Sequence, residues 1–246
     1  MKRGPVKPNF ISCLVVFLLF SGSPLAAAEN GPFQAARDEM VSQQLKARGI
    51  EDPAVLAAMK SVHRHAFVPE SLHNRAYADS PLPIGEGQTI SQPYIVALMT
   101  ARLDLERTDK VLEVGTGSGY QAAVLAKIVD EVYSLEIKKK LHGKAAQTLK
   151  SRGYTDIHTR HGDGYFGWPK AAPFDAIMIT AAVDHIPPPL LKQLKEGGKL
   201  ILPLGNPFSY QNLVLVTRRD DDYTVKQITG VLFVPMTGRA LEKSEE

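Results

Sequence analysis

Ala36, Met40, Val41 and Leu45 fall on one side of a helix, and the run 33–48 that carries them stops at Gly49. This pattern predicts an amphipathic helix. Pro53 starts a second one, running to about Val62. The stretch 64–92 has no sustained period and is rich in proline, glycine and aromatic residues; a loop of that length reads as functional. Gln92-Pro93 then opens a helix carrying Ile95, Val96, Leu98, Met99 and Leu103. From Lys110 the pattern changes to short apolar runs bounded by turn residues, as buried strands require. They fall at 110–114, 131–136, 157–160 and 174–180, with a helix-like stretch at 120–128. Pro187-Pro-Pro189 starts a helix through Leu194, and Gly197-Gly198 turns into a strand at 199–204. Runs at 211–217 and 223–234, parted by an Arg-Arg-Asp-Asp-Asp turn, predict a hairpin. The expected architecture is one α/β domain: a doubly wound, mainly parallel sheet of about seven strands, helices on both faces, and an N-terminal helical extension.

The candidate chemistry gathers at the carboxyl ends of those strands. Val111-Leu-Glu-Val-Gly-Thr-Gly-Ser-Gly-Tyr120 reads as strand, turn and helix, with glycines that let the backbone turn sharply and lie against a ligand. The G-x-G-x-G spacing is not the dinucleotide fingerprint, and no Lys-Ser/Thr follows to cradle phosphates. A ligand without a pyrophosphate fits better, with S-adenosylmethionine (AdoMet) first. Taken alone, the turn is equally a tight strand-to-helix connection. Its neighbours change that. The run 131–136 ends in Glu136, about 20 residues further on, where a ribose diol needs an acceptor. The run 157–160 leads into His161-Gly-Asp-Gly164, and 174–180 into Ala181-Ala182. Together they outline an adenosine pocket on the edge where open sheets bind ligands.

Composition adds an ordinary enzyme background: 246 residues, 44% hydrophobic and 22% charged, enough for one sizeable domain. The formal charge of +3 comes from Lys2, Arg3 and Lys7, and the rest balances at 26 basic against 26 acidic side chains. No basic stripe points to nucleic acid, since Arg218-Arg219 is answered at once by Asp220-Asp-Asp222. A basic start, the apolar run 10–20 and Ser21-Gly-Ser-Pro-Leu-Ala-Ala-Ala28 read as a signal peptide. Ala26 and Ala28 fit the cleavage rule, so residues 1–28 form the leader and Glu29 opens the mature chain, 29–246. The alternative is a buried core helix. The run is too short to span a bilayer, which takes about 20 residues. Cys13, the single cysteine, leaves with the leader, so the mature chain forms no disulfide.

Several blocks beyond the glycine turn carry a family resemblance. They are Arg64-His-Ala-Phe-Val-Pro-Glu70, Ala76-Tyr-Ala-Asp79, Pro81-Leu-Pro-Ile-Gly85 and Gly87-Gln-Thr-Ile-Ser-Gln-Pro93. Val111–Tyr120, Gly162-Asp-Gly164, Ala172-Pro-Phe-Asp175, Thr180-Ala-Ala182 and Phe233-Val-Pro-Met-Thr237 continue the series in order. The chain resembles the protein-L-isoaspartate O-methyltransferases, with a match from about Phe33 to Thr237. The 110–120 block fits many methyltransferases; the Gly87–Pro93 block is far more specific.

The resemblance implies a Rossmann-like class I methyltransferase fold, with 29–109 supplying the N-terminal helices and substrate loop and 110–246 the AdoMet-binding sheet and C-terminal hairpin. It implies methyl transfer from AdoMet to the free carboxylate of L-isoaspartyl or D-aspartyl residues in damaged proteins, and a monomer without metal. It assigns Ser91 as the catalytic residue, donating a hydrogen bond to the substrate carboxylate; the same hydroxyl is also placed to cap the helix at Pro93. Glu113, Gly115 and Gly117 fall beside the methionine part of the cofactor, Glu136 at the ribose, and Asp163 with Gly164 near the adenine. Thr89 and Ile90 close over the cofactor, and Thr237 completes the lid. Glu113 also reads as a loop acid satisfied by backbone donors. Its leader sets this chain apart, because AdoMet is made in the cytosol. Export to the periplasm is expected from the leader, and a cytoplasmic location from the cofactor.

Other patterns are set aside. His63-x-His65 with His73 lacks a cysteine or acidic partner to complete a metal site, and His65 is expected to pack with Phe67. Gly117-Ser-Gly119 lacks the G-x-S-x-G spacing of a hydrolase elbow. Two rival functions stay open: an AdoMet methyltransferase for a small molecule or nucleic acid, which requires a deprotonating residue, and an exported protein that binds damaged peptides without turnover.

Overall fold

The computed structural model describes Met1, Lys2, Gly4, 31–220 and 222–242. The apolar run 10–20, Cys13, the Ala26 and Ala28 cleavage signal and Glu29 lie outside the described residues. The chain divides into two compact units, 1–34 and 35–246, and the second carries the sheet.

The helical expectation for 33–48 is met with a change of winding. Helix α1 (Gln34–Glu39) passes into a wide π turn, Met40–Leu45, then a 3-10 turn, Lys46–Arg48, closed by Gly49 at φ 84°. Met40, Val41 and Leu45 are buried there. Helix α2 (Pro53–Ser61) is capped by Asp52, whose Oδ1 accepts the N–H groups of Ala54 and Val55 at 2.8 and 3.1 Å. The stretch read as irregular holds two 3-10 segments, Arg64–Phe67 and Glu70–Arg75, and a hairpin of β1 (Leu82–Gly85) and β2 (Gln88–Ile90). Four- and three-residue strands with Pro83 inside leave too short a pattern to read. Burial of Leu82, Ile84 and Ile90 holds them, each side chain contributing roughly 1.5–3 kcal/mol.

The remaining elements follow as α3 (Pro93–Leu103), β3 (Lys110–Val114), α4 (Tyr120–Leu125), β4 (Glu131–Glu136), α5 (Lys139–Ser151) and β5 (Ile157–His161). After them come β6 (Phe174–Ile179), α6 (Pro188–Lys192), β7 (Leu194–Gly205), β8 (Gln211–Arg219) and β9 (Asp222–Val231). Helix α5 had no counterpart in the sequence reading: its buried stripe is only Leu141, Ala145 and Leu149, and no side chain caps it. Strand β7 begins at Leu194 rather than Lys199, because a register shift in its pairing with β6 absorbs Gly197 and Gly198 inside the strand.

One seven-stranded sheet results, in the order β5-β4-β3-β6-β7-β8-β9. Strands β3 to β7 pair in parallel, and the β8–β9 hairpin adds two antiparallel strands. This is the expected doubly wound, mainly parallel sheet. Strands β3 and β6 lie at its centre and are apolar almost throughout, as burial on both faces demands. Between β4 and β6 the chain order reverses across β3, so the carboxyl end of β3 sits at the switch point where open sheets bind ligands.

Candidate active site

A cleft opens at that switch point, enclosing about 860 Å³ with the solvent at its mouth included. Of the residues singled out in the sequence, Thr89, Ile90, Ser91, Glu113, Gly115, Gly117, Glu136, Gly164 and Thr237 all line it. Asp163 stands apart from the lining. Its Oδ1 accepts the Tyr165 N–H at 2.9 Å and its Oδ2 the Arg239 N–H at 2.8 Å, so it pins the C-terminal segment beside Gly164.

Glu113 is a strand residue and fully buried. Its Oε2 accepts a short hydrogen bond from the Ser134 hydroxyl, which lies directly across the β3–β4 ladder and 2.6 Å from the Thr116 hydroxyl. The reading of a loop acid held by backbone donors is therefore corrected: the donor is a side chain from the neighbouring strand. Oε1 has no partner among the described residues. Burial pushes the carboxyl up to about 8, the Ser134 hydrogen bond works the other way, and nearby Glu136 adds to the rise.

Gly115 and Gly117 shape the loop. Gly115 has φ 106°, and the space a Cβ would need is taken by the Thr180 hydroxyl, which donates to the Gly115 carbonyl at 2.8 Å. Gly117 has φ 53° and points its N–H at Glu136 Oε2, 2.8 Å away. The other oxygen of Glu136 accepts the Lys138 N–H at 2.9 Å. Each carboxylate oxygen keeps a second lone pair for a ligand hydroxyl.

Ser91 lines the same cleft, one residue beyond the hairpin. The alternative reading, that it caps α3, does not hold: Gln92 occupies the cap position and makes no side-chain cap bond. Ser91 follows β2, whose hairpin pairs Leu82 with Ile90 and Pro83 with Thr89. Ile84 seats the hairpin on the loop, its Cδ1 3.4 Å from where a Gly117 Cβ would stand. The hairpin tip, Glu86 at φ 52°, reaches Lys140 on α5 at 3.4 Å.

His65 packs differently from expectation. It lies against His63 and His73, and its Nδ1 is 2.8 Å from the Tyr77 hydroxyl, while Phe67 packs on Tyr120 and Tyr154. Burial and the neighbouring His63 and His73 lower it to about 4. Among the described residues no group of three His, Cys, Asp or Glu side chains is placed to hold a metal.

Sequence reasoning passed over Ser134 and Thr180 as site residues. Ser134 shares strand parity with Glu136, but only the register beside Glu113 discloses its role. Lys138 and the segment Val234, Pro235 and Met236 also line the cleft. The Ala182 N–H bonds to the Val234 carbonyl and the Met236 N–H to the Ala182 carbonyl, each at 2.8 Å, which draws this segment alongside the end of β6.

The cleft thus offers a glycine cradle, a buried carboxyl with one oxygen unpartnered among the described residues, a carboxylate beside the loop, and walls of Ile90, Val114 and Leu135. Those features fit a cationic nucleoside without phosphates, as AdoMet is. With the doubly wound sheet they define a site of the AdoMet methyltransferase class. The family model for protein-L-isoaspartate(D-aspartate) O-methyltransferase (PCMT) matches residues 35–241, and the chain belongs to that family. It is 64% identical to protein-L-isoaspartate O-methyltransferase 2 of Shewanella sediminis over 94% of this chain and 96% of that one. The corresponding enzyme of Opitutus terrae is 54% identical over 91% and 96%. Among solved structures, a protein-L-isoaspartate O-methyltransferase superposes with TM-score 0.75 at 30% identity, covering 83% of this chain and 67% of that one. A Plasmodium falciparum protein described as a protein-L-isoaspartate O-methyltransferase, in complex with S-adenosyl-L-homocysteine, gives TM-score 0.73 at 28% identity over 82% and 98%.

Proposed function

We propose that this protein transfers a methyl group from AdoMet to the free carboxylate of L-isoaspartyl and D-aspartyl residues in damaged polypeptides, which starts their repair. The observation that carries this reading is the cleft itself, which brings Ser91, the Gly115–Gly117 cradle, Glu113 and Glu136 together. When bound, AdoMet supplies an electrophilic methyl on a sulfonium and departs as S-adenosylhomocysteine. A side-chain carboxylate, with a reference pKa near 4, is already ionised at neutral pH and needs no general base. The work of the chain is alignment, which contributes roughly 7–11 kcal/mol for well-oriented partners. Ser91 donates its hydroxyl to the substrate carboxylate and orients it without the quenching charge of a lysine or arginine. Glu136 accepts from the ribose hydroxyls while holding the Gly117 N–H. Gly115 and Gly117 admit the methionine part beside Glu113, Gly164 borders the adenine with Asp163 bracing it, and Thr89, Ile90 and Thr237 close the mouth against water. The methyl ester cyclises to a succinimide, which reopens in part as ordinary aspartate.

The test is incubation with labelled AdoMet and paired isoaspartyl and aspartyl peptides. Label as a base-labile ester on the isoaspartyl peptide alone is expected; equal labelling of both, or of neither, overturns the reading. The leader supports export to the periplasm with cleavage before Glu29, and the protein acts as a monomer. Mass spectrometry of protein from fractionated cells checks the first, an intact N-terminus in the cytosolic fraction counting against it, and sedimentation checks the second. No helix of the described residues is long and apolar enough to cross a membrane.

A further inference from the structure

The β7–β8 turn and the end of β9 form a ledge that the chemistry above does not use. The last rung of the β8–β9 ladder pairs Gln211 with Val231, both buried. The residues just beyond it, Tyr210 and Leu232, therefore turn to the other face, and they are 79% and 73% exposed. Phe208, in the same turn, is 79% exposed. Large apolar side chains open to water at neighbouring positions mark interaction surfaces.

The ledge is built rather than loose. The buried side chain of Gln211 donates to the carbonyls of Asn206 and Ser209 at 2.8 and 2.5 Å and accepts the Phe233 N–H at 2.8 Å. One amide thus ties the turn to the start of the segment lining the cleft. The Gly205 N–H bonds to the Val183 carbonyl at 2.8 Å, so the segment around Ala182 is bordered on one side by the end of β7 and on the other by Val234–Met236. From Leu232 the chain runs directly into Val234, Pro235, Met236 and Thr237 at the cleft. There is no charged residue from 200 to 217 or from 227 to 238.

We infer that the ledge of Phe208, Tyr210 and Leu232 receives an apolar side chain flanking the isoaspartate of the bound polypeptide. The inference rests on the proposed function, and its logic is continuity. A chain that delivers a carboxylate into the cleft must leave over the rim, and the ledge supplies an apolar, fixed part of it whose own two segments carry no charge. An apolar flanking residue gains burial there, whereas a small polar one gains nothing.

The experiment compares two isoaspartyl peptides, one with Phe and one with Ser at the flanking positions, on the wild-type protein and on Tyr210→Ser/Leu232→Ser. On the wild type, KM for the Phe peptide is expected to be roughly fivefold lower, with similar kcat. In the double variant that preference falls to near unity while the AdoMet Kd holds, which also shows that the variant is folded. A wild type without preference, or a double variant that keeps it, overturns the ledge and leaves the methyltransferase reading intact. Failure of the wild type to methylate either peptide overturns both. A sedimentation shift of the double variant from dimer to monomer overturns the ledge as well, assigning the patch to a second copy of this chain.

Discussion

The two walls of the cleft are built in opposite ways. On the sheet side, Glu113, Ser134 and Glu136 are buried and interlocked, with the Gly117 N–H bound to the Glu136 carboxylate and Ser134 donating to the buried Glu113 carboxyl. On the hairpin side, Pro83, Gly85, Glu86, Gly87 and Thr89 are exposed, and the tip is tied down by one solvent-facing ion pair. The first wall is organised before any ligand arrives; the second buries Leu82, Ile84 and Ile90 inward and leaves its outward face and tip to solvent. A methyltransferase needs both. A fixed cradle sets the position of the methyl, and a wall open to solvent leaves room for a substrate as large as a protein.

If this division holds, Ser91→Ala gives the largest loss, and gives it in turnover. Removing a hydrogen bond to a charged group costs about 1.5–3 kcal/mol, so kcat falls roughly tenfold to hundredfold with AdoMet affinity nearly unchanged. Steady-state kinetics beside calorimetry measure the split; wild-type turnover removes the role of Ser91. Glu136→Ala does the reverse. It strands the Gly117 and Lys138 N–H groups, at about 1–3 kcal/mol each if they stay dry, and is expected to weaken AdoMet roughly tenfold. Calorimetry showing unchanged affinity breaks the picture of an interlocked wall.

Glu113 sharpens the contrast through pH. Its folded value near 8 lies above the usual carboxylate range, so the folded state holds a proton the unfolded chain releases. The stability tied to that proton is complete below about pH 4.5 and is lost as pH rises toward 8, with a slope of up to about 1.4 kcal/mol per unit. Glu113→Gln carries no such penalty. Its Tm relative to the wild type is therefore expected to rise between about pH 5 and pH 8, by roughly ten degrees. Parallel melting curves across that range contradict a neutral buried Glu113. The smallest effect belongs to Glu86→Ala at the hairpin tip, since an exposed pair is worth ~1 kcal/mol or less. KM for an isoaspartyl peptide shifts by less than about threefold; a larger change means the tip touches substrate.

Much of this was readable from residue order, because it follows from local rules. Apolar runs ending in Gly115, Glu136 and Gly164 announce strands with ligand-facing ends, and the alternation of such runs with helical patterns implies a parallel sheet. Helix α5 was missed although Leu141, Ala145 and Leu149 stand four residues apart on one face, because no capping side chain marks its start and Gly143 interrupts it. The β1–β2 hairpin escaped because strands this short are stabilised by distant contacts rather than by their own pattern.

By itself the sequence determined the order of the elements, the glycine loop and the acid on the next strand, since each depends on residues near one another along the chain. Only the tertiary structure decided that Ser134 donates to Glu113, that Asp163 braces Arg239 rather than lining the cleft, and that Ser91 stands free of its helix. Strand register and loop closure set those contacts between residues as much as 76 positions apart, and no local period encodes them.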